Sequence, residues 1–385
     1  MPVRATKRGA ERTPLEGDHD VLICGASFAG LAVARELAGS GADVLVIDRY
    51  VIGDRQTSAC AAPLEWVENL GLGDAVCQSF SELVIHTPLR SFRWTLPWRF
   101  CTFDYRLLCE LLWAQAGDAR FETATVAGRS RDGATRHVVR TDRGDLRAPL
   151  VVDALGWRRV LSGAPAIQPP NARLSRGLEV HPRGSGEDFE LWLDPAYIRA
   201  GYSWSFPAGD ELRVGVGSFD PRDHVREPTV RLARDLGLPA DGYQGNWIPH
   251  QLREAVEDGV FFAGDSAGHC LPATAEGIRP ALYFGLACGH ELRDVVDGRQ
   301  TREQALTRYR ALHEERRFAW RWLLRAQHAI GALNRYPAMT SVVELMSKGS
   351  VVDRSFRRYL DVCPPPEAST AVPASGGTDA SPVAA

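Results

Sequence analysis

The sequence predicts a mixed α/β fold in which a parallel sheet is interleaved with an antiparallel one and helices close the chain. Three observations carry that expectation. Residues 20–48 run from an apolar strand pattern (Val21 to Cys24) through a small-residue turn and a helical repeat of Leu31, Ala34 and Leu37. They then enter a second apolar run, Val44 to Ile47, which completes a βαβ unit. Residues 150–156 and 259–265 are further apolar runs that end in an acid beside a glycine, as strands of the same sheet would. The stretches between them alternate apolar and polar residues, the mark of antiparallel strands with one buried face.

Taken in order, 49–63 is a polar, small-residue segment just past the second strand, and 63–70 predicts a short helix ending at Gly71. Residues 82–92 and 93–103 predict two antiparallel strands broken at Pro88 and Pro97. Asp104 is placed to cap a helix reaching Trp113, with Leu107, Leu108, Leu111 and Leu112 inward. Strands are expected at 120–127, 136–141, 145–149 and 150–153, and again at 177–181, 189–193, 202–206 and 212–216. The segment 202–206 places Tyr202, Trp204 and Phe206 on one face, as core or as the wall of a ligand site. Helices are expected at 228–236, 279–295 and 302–332, with two more within 337–359. The pattern divides the chain into a nucleotide-type domain (19–75, 104–160 and 259–298), a β-rich domain (76–103 and 161–258) and a helical region (299–362). A charged leader (1–18) and a Pro/Ala/Ser/Gly tail (363–385) are expected to be disordered.

Bulk properties narrow the function classes. At 385 residues the chain exceeds one typical domain, and a formal net charge of −3 gives no electrostatic footprint for nucleic acid. The eight cysteines form no Cys-x-x-Cys and no Cys/His spacing for a metal, so reduced thiols, no metal site and a cytoplasmic location are expected. The first 17 residues lack the apolar core of a signal sequence, and no run of about 18 apolar residues exists to span a membrane.

The βαβ unit carries the first binding chemistry. Gly25 permits a tight turn and Gly30 lets the helix pack close on its strand, while Ser27, Phe28 and Ala29 surround the helix N-terminus, whose free N–H groups suit a pyrophosphate. Asp48 is placed to accept from a ribose hydroxyl, and Arg49 and Arg55 follow it alongside the same ligand. Ser27 stands where the Gly-x-Gly-x-x-Gly pattern has its middle glycine, so its hydroxyl is a potential donor to the phosphate.

Set beside Asp153/Gly156 and Gly264-Asp265, this unit resembles the three FAD-binding signatures of glutathione-reductase-type flavoproteins in their p-hydroxybenzoate hydroxylase branch. The resemblance implies a Rossmann-like FAD-binding domain interleaved with an antiparallel β-sheet substrate domain, plus C-terminal helices. It implies that Asp153, Gly156, Gly264 and Asp265 hold the cofactor, that Arg106 is aimed at it, and that Gly277 and Ile278 start a helix facing the flavin pyrimidine edge. A helix N-terminus there stabilises the negative charge of reduced flavin. Tyr202-x-Trp204-x-Phe206-Pro207, followed by Gly215-Val-Gly217, is similar to the geranylgeranyl reductase family, where such a strand borders the substrate cavity. The segment from Gly264 to Ile278 is similar to that family as well. Flavin-dependent halogenases share a related strand but use a lysine beside the substrate tunnel. Here Lys7 and Lys348 are the only lysines, and both lie outside the cofactor-binding region.

The implied chemistry is reduction of a carbon–carbon double bond in a hydrophobic, isoprenoid-like substrate, with NAD(P)H or another reductant as electron donor and no dedicated NADPH domain. Cys60 is the preferred proton donor, with His269 and Glu276 as further catalytic candidates. Trp94, Trp98, Trp192, Tyr202, Trp204, Phe206 and Trp247 are expected to line the cavity, and Arg279 to bind an anionic headgroup. Two rivals remain open: a monooxygenase of the same fold, and a flavin- or lipid-binding protein without turnover. In 316–325, Trp320, Leu323 and Leu324 share one helical face and Arg317, Arg321 and Arg325 another. That pattern is compatible with peripheral contact to an anionic membrane or with an Arg-rich solvated helix.

Overall fold

The computed structural model describes residues 13–56, 58–133, 135–164, 174–333 and 338–367. The chain opens with β1 (Gly17–Asp18), β2 (Val21–Cys24), α1 (Phe28–Glu36) and β3 (Val44–Asp48). Next come β4 (Ala61–Pro63), α2 (Leu64–Asn69) and the long hairpin β5 (Val76–His86) and β6 (Ser91–Phe103). Helix α3 (Tyr105–Ala114) and β7 (Arg120–Thr123) precede a meander, β8 (Val126–Asp132), β9 (Arg136–Thr141) and β10 (Gly144–Ala148), and then β11 (Leu150–Asp153). A second β-rich stretch holds β12 (Ser175–Val180), β13 (Glu190–Trp192), β14 (Gly201–Ala208), β15 (Glu211–Ser218), α4 (Arg226–Asp235) and β16 (Gln244–Ile248). The short strands β17 (Val256–Glu257) and β18 (Val260–Phe262) lead to four helices, α5 (Ile278–Val296), α6 (Arg302–Leu333), α7 (Ala338–Met346) and α8 (Gly349–Leu360).

These elements build three sheets. The first runs β17-β18-β11-β2-β3-β7, parallel from β18 to β7. Its central strands, β2, β3, β11 and β18, are buried on both faces, which is why they read as continuous apolar runs rather than alternations. The meander pairs with β1 as a small sheet, β1-β10-β9-β8. The third sheet joins both β-rich stretches in the order β16-β12-β15-β14-β13-β5-β6-β4. Helix α4 packs on one of its faces, and α7, α8 and the end of α6 pack on the other through Ile330, Met339, Val343, Val352 and Phe356.

Helices α1 and α5 lie against each other at unusually close range. A Cβ at Gly285 would come 2.7 Å from the Ala29 carbonyl oxygen, and one at Gly289 would come 2.6 Å from the Glu36 Cβ. Only hydrogen at these two positions allows the approach. The two helices therefore run parallel, with the first turn of α1 against the second turn of α5.

Several expectations change. Pro97 does not break the strand: β6 is continuous, and Pro97 falls in the irregularity where Phe80 pairs with Phe100 but Glu82 with Thr95, so no ladder donor is missed there. In α3, Asp104 caps Leu107 N at 2.8 Å, but Leu107 itself is exposed and Cys109 takes the inward place. The expected disordered ends are ordered where they meet the domain: Leu15 N donates to the Arg143 carbonyl, and Asn69 Nδ2 donates to the Pro366 carbonyl. The rest of those ends, 1–12 and 368–385, lies outside the described residues.

The C-terminal chain is fastened by Arg279, which is fully buried. Its Nε and one terminal nitrogen donate to both Glu276 oxygens at 2.8 Å, and the other donates to the carbonyls of Tyr359, Leu360 and Cys363 at 3.3, 3.0 and 3.0 Å. Removing one partner of such a pair leaves a buried charge uncompensated. Arg279→Met is therefore expected to cost about 3–5 kcal/mol in urea unfolding and to expose α8 to protease, while Arg279→Met with Glu276→Leu recovers much of the loss. Equal stability of the single variant and the wild type would contradict this role.

Candidate functional site

The site is built where the parallel strands end. Gly25 has φ +112°, and a Cβ at Gly30 would collide with the Gly25 carbonyl, so the chain turns from β2 into α1 with no side chain over the helix start. Ser27 is the N-cap residue, and its Oγ shares a 3.3 Å hydrogen bond with the hydroxyl of Tyr105, which stacks edge-on to Phe28. Asp48 ends β3 and accepts from Ala26 N at 2.9 Å and Tyr50 N at 3.0 Å, which fixes its carboxylate beside the turn. Burial raises the Asp48 pKa against those two hydrogen bonds. Arg49 and Arg55 both lie over the Tyr50 ring, at 4.8 and 5.2 Å from its centroid, and Arg55 donates to the Tyr50 hydroxyl at 2.7 Å. Arg106 is exposed and paired with Asp54 at 2.7 Å on the same rim.

The second half comes from the turn after β18. Gly264 adopts φ +63°, where a Cβ would press on Ala29 at 3.0 Å, so it seats the turn against α1. Among the described residues none donates a hydrogen bond to the Asp265 carboxylate. Burial raises its pKa to about 6, opposed only by the charge of Arg253. Beyond it, Ala273 and Ala275 hold left-handed conformations (φ +68° and +53°) that are rare for residues with a side chain. The chain then enters α5 through Gly277 and Ile278, whose first turn leaves amides without helical acceptors. An acid that accepts no hydrogen bond from the described residues, the starts of two closely packed parallel helices and a turn cleared of side chains fit a dinucleotide cofactor.

A third segment reaches the same place from β4. Cys60 is fully buried at φ +53°, and its thiol donates to the Ser58 carbonyl at 3.2 Å. Burial pushes that thiol well above its ordinary pKa, so it carries its proton at neutral pH. Arg213 secures the strained turn: one nitrogen donates to the carbonyls of Ala59 (2.9 Å), Cys60 (3.3 Å) and Phe103 (2.9 Å), and Nε pairs with Glu211 at 2.8 Å.

Arg213 stands opposite Phe206 in the β14–β15 ladder, which carries the aromatic wall. Tyr202 anchors one end through a hydrogen bond to the Thr274 carbonyl. From it the rings continue as Tyr202–Trp204 (5.9 Å), Trp204–Phe206 (6.3 Å), Phe206–Phe189 (3.9 Å, stacked) and Phe189–Phe100 (5.4 Å). Trp98, Phe356 and Trp94 extend the row beneath α8, where Trp94 Nε1 donates to Ser347 Oγ at 2.7 Å. The motif glycines explain how Trp204 fits. Gly215 pairs with Trp204 across the ladder, and a Cβ there would collide with the indole, whereas one at Gly217 would sit at 3.4 Å. The indole thus lies flat on a glycine floor, and its Nε1 donates to buried Glu179 at 3.2 Å. Gln244 donates to the other Glu179 oxygen at 2.7 Å, and His181 stands 3.1 Å from it.

Several expected site residues have other work. His269 is fully buried behind the Gly264 turn, stacked on Phe284 at 3.8 Å, with Nδ1 accepting from Gly264 N at 3.1 Å; burial lowers its pKa and keeps it neutral. Glu276 and Arg279 are engaged with each other, and Tyr359 also donates to Glu276, so neither proton donor nor headgroup ligand is free there. Asp153 is saturated by Leu155 N, Leu161 N and Ser266 Oγ (3.0, 2.7 and 2.6 Å), and it shapes the end of β11 instead of meeting a cofactor; Gly156 (φ +83°) accepts from the same Ser266 hydroxyl. Trp192 pairs with Ser203 and Trp247 with Arg176, which puts both on the sheet face opposite Trp204; Trp192 stacks on His86 at 4.6 Å. Tyr105, Phe189, Glu179 and Arg213 are the functional candidates that sequence reasoning missed. Arg213 and Glu179 lie on the strands beside the aromatic motif, but nothing local marks either as buried.

The fold is that of flavin-dependent oxidoreductases. In sequence and fold the chain is geranylgeranyl reductase-like. It is 24% identical over 328 residues to digeranylgeranylglycerophospholipid reductase 1 of Methanopyrus kandleri, covering 77% of this chain and 86% of that one. It is 26% identical over 189 residues to the digeranylgeranylglycerophospholipid reductase of Methanothrix thermoacetophila, a match spanning about half (46%) of that protein's length. A geranylgeranyl bacteriochlorophyll reductase-like protein of Thermoplasma acidophilum superposes with TM-score 0.79 at 17% identity, over 91% of this chain and 98% of that one. A flavin-dependent brominase shares the fold with TM-score 0.63 at 17 to 16% identity across its two structures, over up to 90% of this chain and 98% of that one. No protein-family model matches. Among the described residues no group of side chains could hold a metal ion, and no helix is long and apolar enough to cross a membrane.

Two outcomes test this geometry. Gly215→Ala is expected to lose about 1–3 kcal/mol in denaturant unfolding by overpacking against the indole, while Gly217→Ala stays near wild type; equal effects would contradict the flat seating of Trp204. Because the Asp265 pKa is raised on folding, from 3.8 to about 6, the native state binds the extra proton, and this group lowers stability as pH rises through that window. In flavin-stripped protein, Asp265→Asn is expected to raise Tm at pH 7.5, to flatten the change between pH 4 and 6, and to weaken flavin retention on a desalting column. An unchanged Tm with full flavin retention would count against the assignment.

Proposed function

We propose that the chain is an FAD-dependent reductase that adds hydrogen across carbon–carbon double bonds of a hydrophobic, isoprenoid-like lipid. The observation that carries this reading is the aromatic row from Tyr202 to Phe100, which starts at the Thr274 turn before α5 and passes beside the Cys60 turn. Such a row suits an extended unsaturated chain better than a compact polar substrate. The names of the relatives point to the same substrate class.

Bound and reduced, FAD supplies the hydride. The Gly25–Gly30 turn and Asp48 would hold its adenosine half, Asp265 its central hydroxyls or pyrophosphate edge, and the Gly277–Ile278 amides its pyrimidine edge. The aromatic row would hold the alkene in place and exclude water, with Trp204 kept flat by Gly215 and Glu179. Cys60 keeps its proton on Sγ, in the turn that Arg213 holds opposite Phe206, and would deliver it to the carbon that does not take hydride. NAD(P)H or another reductant would supply the electrons.

The fold also serves oxygen-using flavoenzymes, so anaerobic turnover decides the class. With dithionite as reductant and digeranylgeranylglycerophospholipid as substrate, products heavier by two hydrogens per reduced bond are expected without O₂. Cys60→Ser is expected to slow turnover at least about tenfold while keeping the flavin spectrum. Strict O₂ dependence with oxygen incorporation would assign a monooxygenase instead, and bound flavin that no acceptor reoxidises would assign a binding protein.

A further inference from the structure

The second half of α6 turns an unusual face to solvent. Phe318 is 77% and Trp322 61% exposed, one helical turn apart, and Leu333 continues the stripe at 42%. Arg321 and Arg325, also exposed and one turn apart, flank the two aromatic side chains, and among the described residues no carboxylate forms an ion pair with either. His328 is exposed further along the same face. No Asp or Glu occurs between Glu315 and Glu344. The sequence pattern had grouped Trp320 with the apolar face, but Trp320 is 3% exposed and its Nε1 donates to the Cys270 carbonyl at 3.1 Å. Arg317 pairs with Glu314. Packing has therefore divided the tryptophans, leaving one inside and one in water.

Two large exposed aromatics bracketed by unpaired guanidiniums cost hydration energy unless something covers them. A protein surface could cover the rings, but exposed arginines with no ion-pair partner among the described residues, and no acid between Glu315 and Glu344, call for a dense, diffuse negative charge. An anionic bilayer offers both environments at one depth: headgroup phosphates for the arginines and the acyl boundary for Phe318 and Trp322.

We propose that this face of α6 docks the protein on an anionic phospholipid surface. The opposite face of the same helix is bonded to the site. Trp320 holds Cys270, the Gln327 side chain accepts from Ala273 N at 3.0 Å, and Ile330 packs into the aromatic cluster. A docked α6 thus separates the bilayer from the Ala273–Ile278 turn and the aromatic row by about one helix diameter, roughly 10 Å. A lipid substrate would pass from membrane to aromatic row along the edge of a single helix. The docking itself does not rest on the reductase reading and is measured without turnover.

The test is co-sedimentation of the full chain with vesicles of phosphatidylcholine alone and of phosphatidylcholine mixed with phosphatidylglycerol, at low and high salt. Binding to the mixed vesicles that weakens with salt is expected, with little binding to phosphatidylcholine alone. Arg321→Glu with Arg325→Glu is expected to lower the partition coefficient roughly 25-fold or more, at about fivefold per charge removed near the surface. Phe318→Ser with Trp322→Ser is expected to abolish the salt-resistant part. Arg226→Glu with Arg234→Glu on α4, on the other side of the large sheet, makes the same change in net charge and is expected to leave binding intact. Unchanged melting temperatures would show that the variants fold. The proposal is overturned if wild type ignores lipid charge, if the α6 variants bind as well as wild type, or if the α4 variant loses as much as the α6 arginine variant. Lost docking with preserved turnover on detergent-dispersed lipid would leave the reductase reading standing, and the reverse result would remove that reading alone.

Discussion

The close contact between α1 and α5 is the constraint on which the site depends. Gly285 and Gly289 let the α5 backbone ride on Ala29 and Glu36 of α1, so two helices far apart in the sequence pack in parallel at close range. Each N-terminus alone offers a partial positive charge and unpaired amides. Staggered along two parallel helices, they can serve different parts of one long anionic cofactor. Gly264 repeats the device by seating the Asp265 turn on the same residue, Ala29.

Two buried guanidiniums then join the other parts of the molecule to this centre. Arg213 links the large sheet to the Cys60 turn and to the end of β6 through three backbone carbonyls. Arg279 links the start of α5 to the end of α8 and Cys363 through three more. Arginine suits both places because its planar fork of donors can satisfy a carboxylate and several carbonyls at once, which lysine cannot do. The acid in each pair keeps the charge from being buried alone. The strained conformation at Cys60 persists because the surroundings hold its carbonyl.

The aromatic row shows how a flat surface is made from a pleated sheet. Rings on alternate positions of β14 would normally stand up from the sheet, yet the glycines of β15 remove the side chains that would prop Trp204 upright. Glu179 then fixes its one polar atom. The result is a long, stiff, apolar surface with a single buried acid behind it, ending against α8 at one side and the α5 turn at the other.

Much of this was legible in the chain alone. The βαβ unit, the Asp104 cap, the period-two strands and the Tyr-x-Trp-x-Phe motif follow from backbone periodicity and local turn chemistry, which a few consecutive residues set. What the sequence could not decide is which of several like residues is inside. Trp192 and Trp204 look equivalent until strand register puts them on opposite faces. Glu276 and Arg279 read as chemistry until carbonyls some 80 residues away claim the guanidinium. Local geometry is written in neighbouring residues, whereas burial, charge pairing and the free or occupied state of a side chain depend on partners that only the folded chain brings within reach.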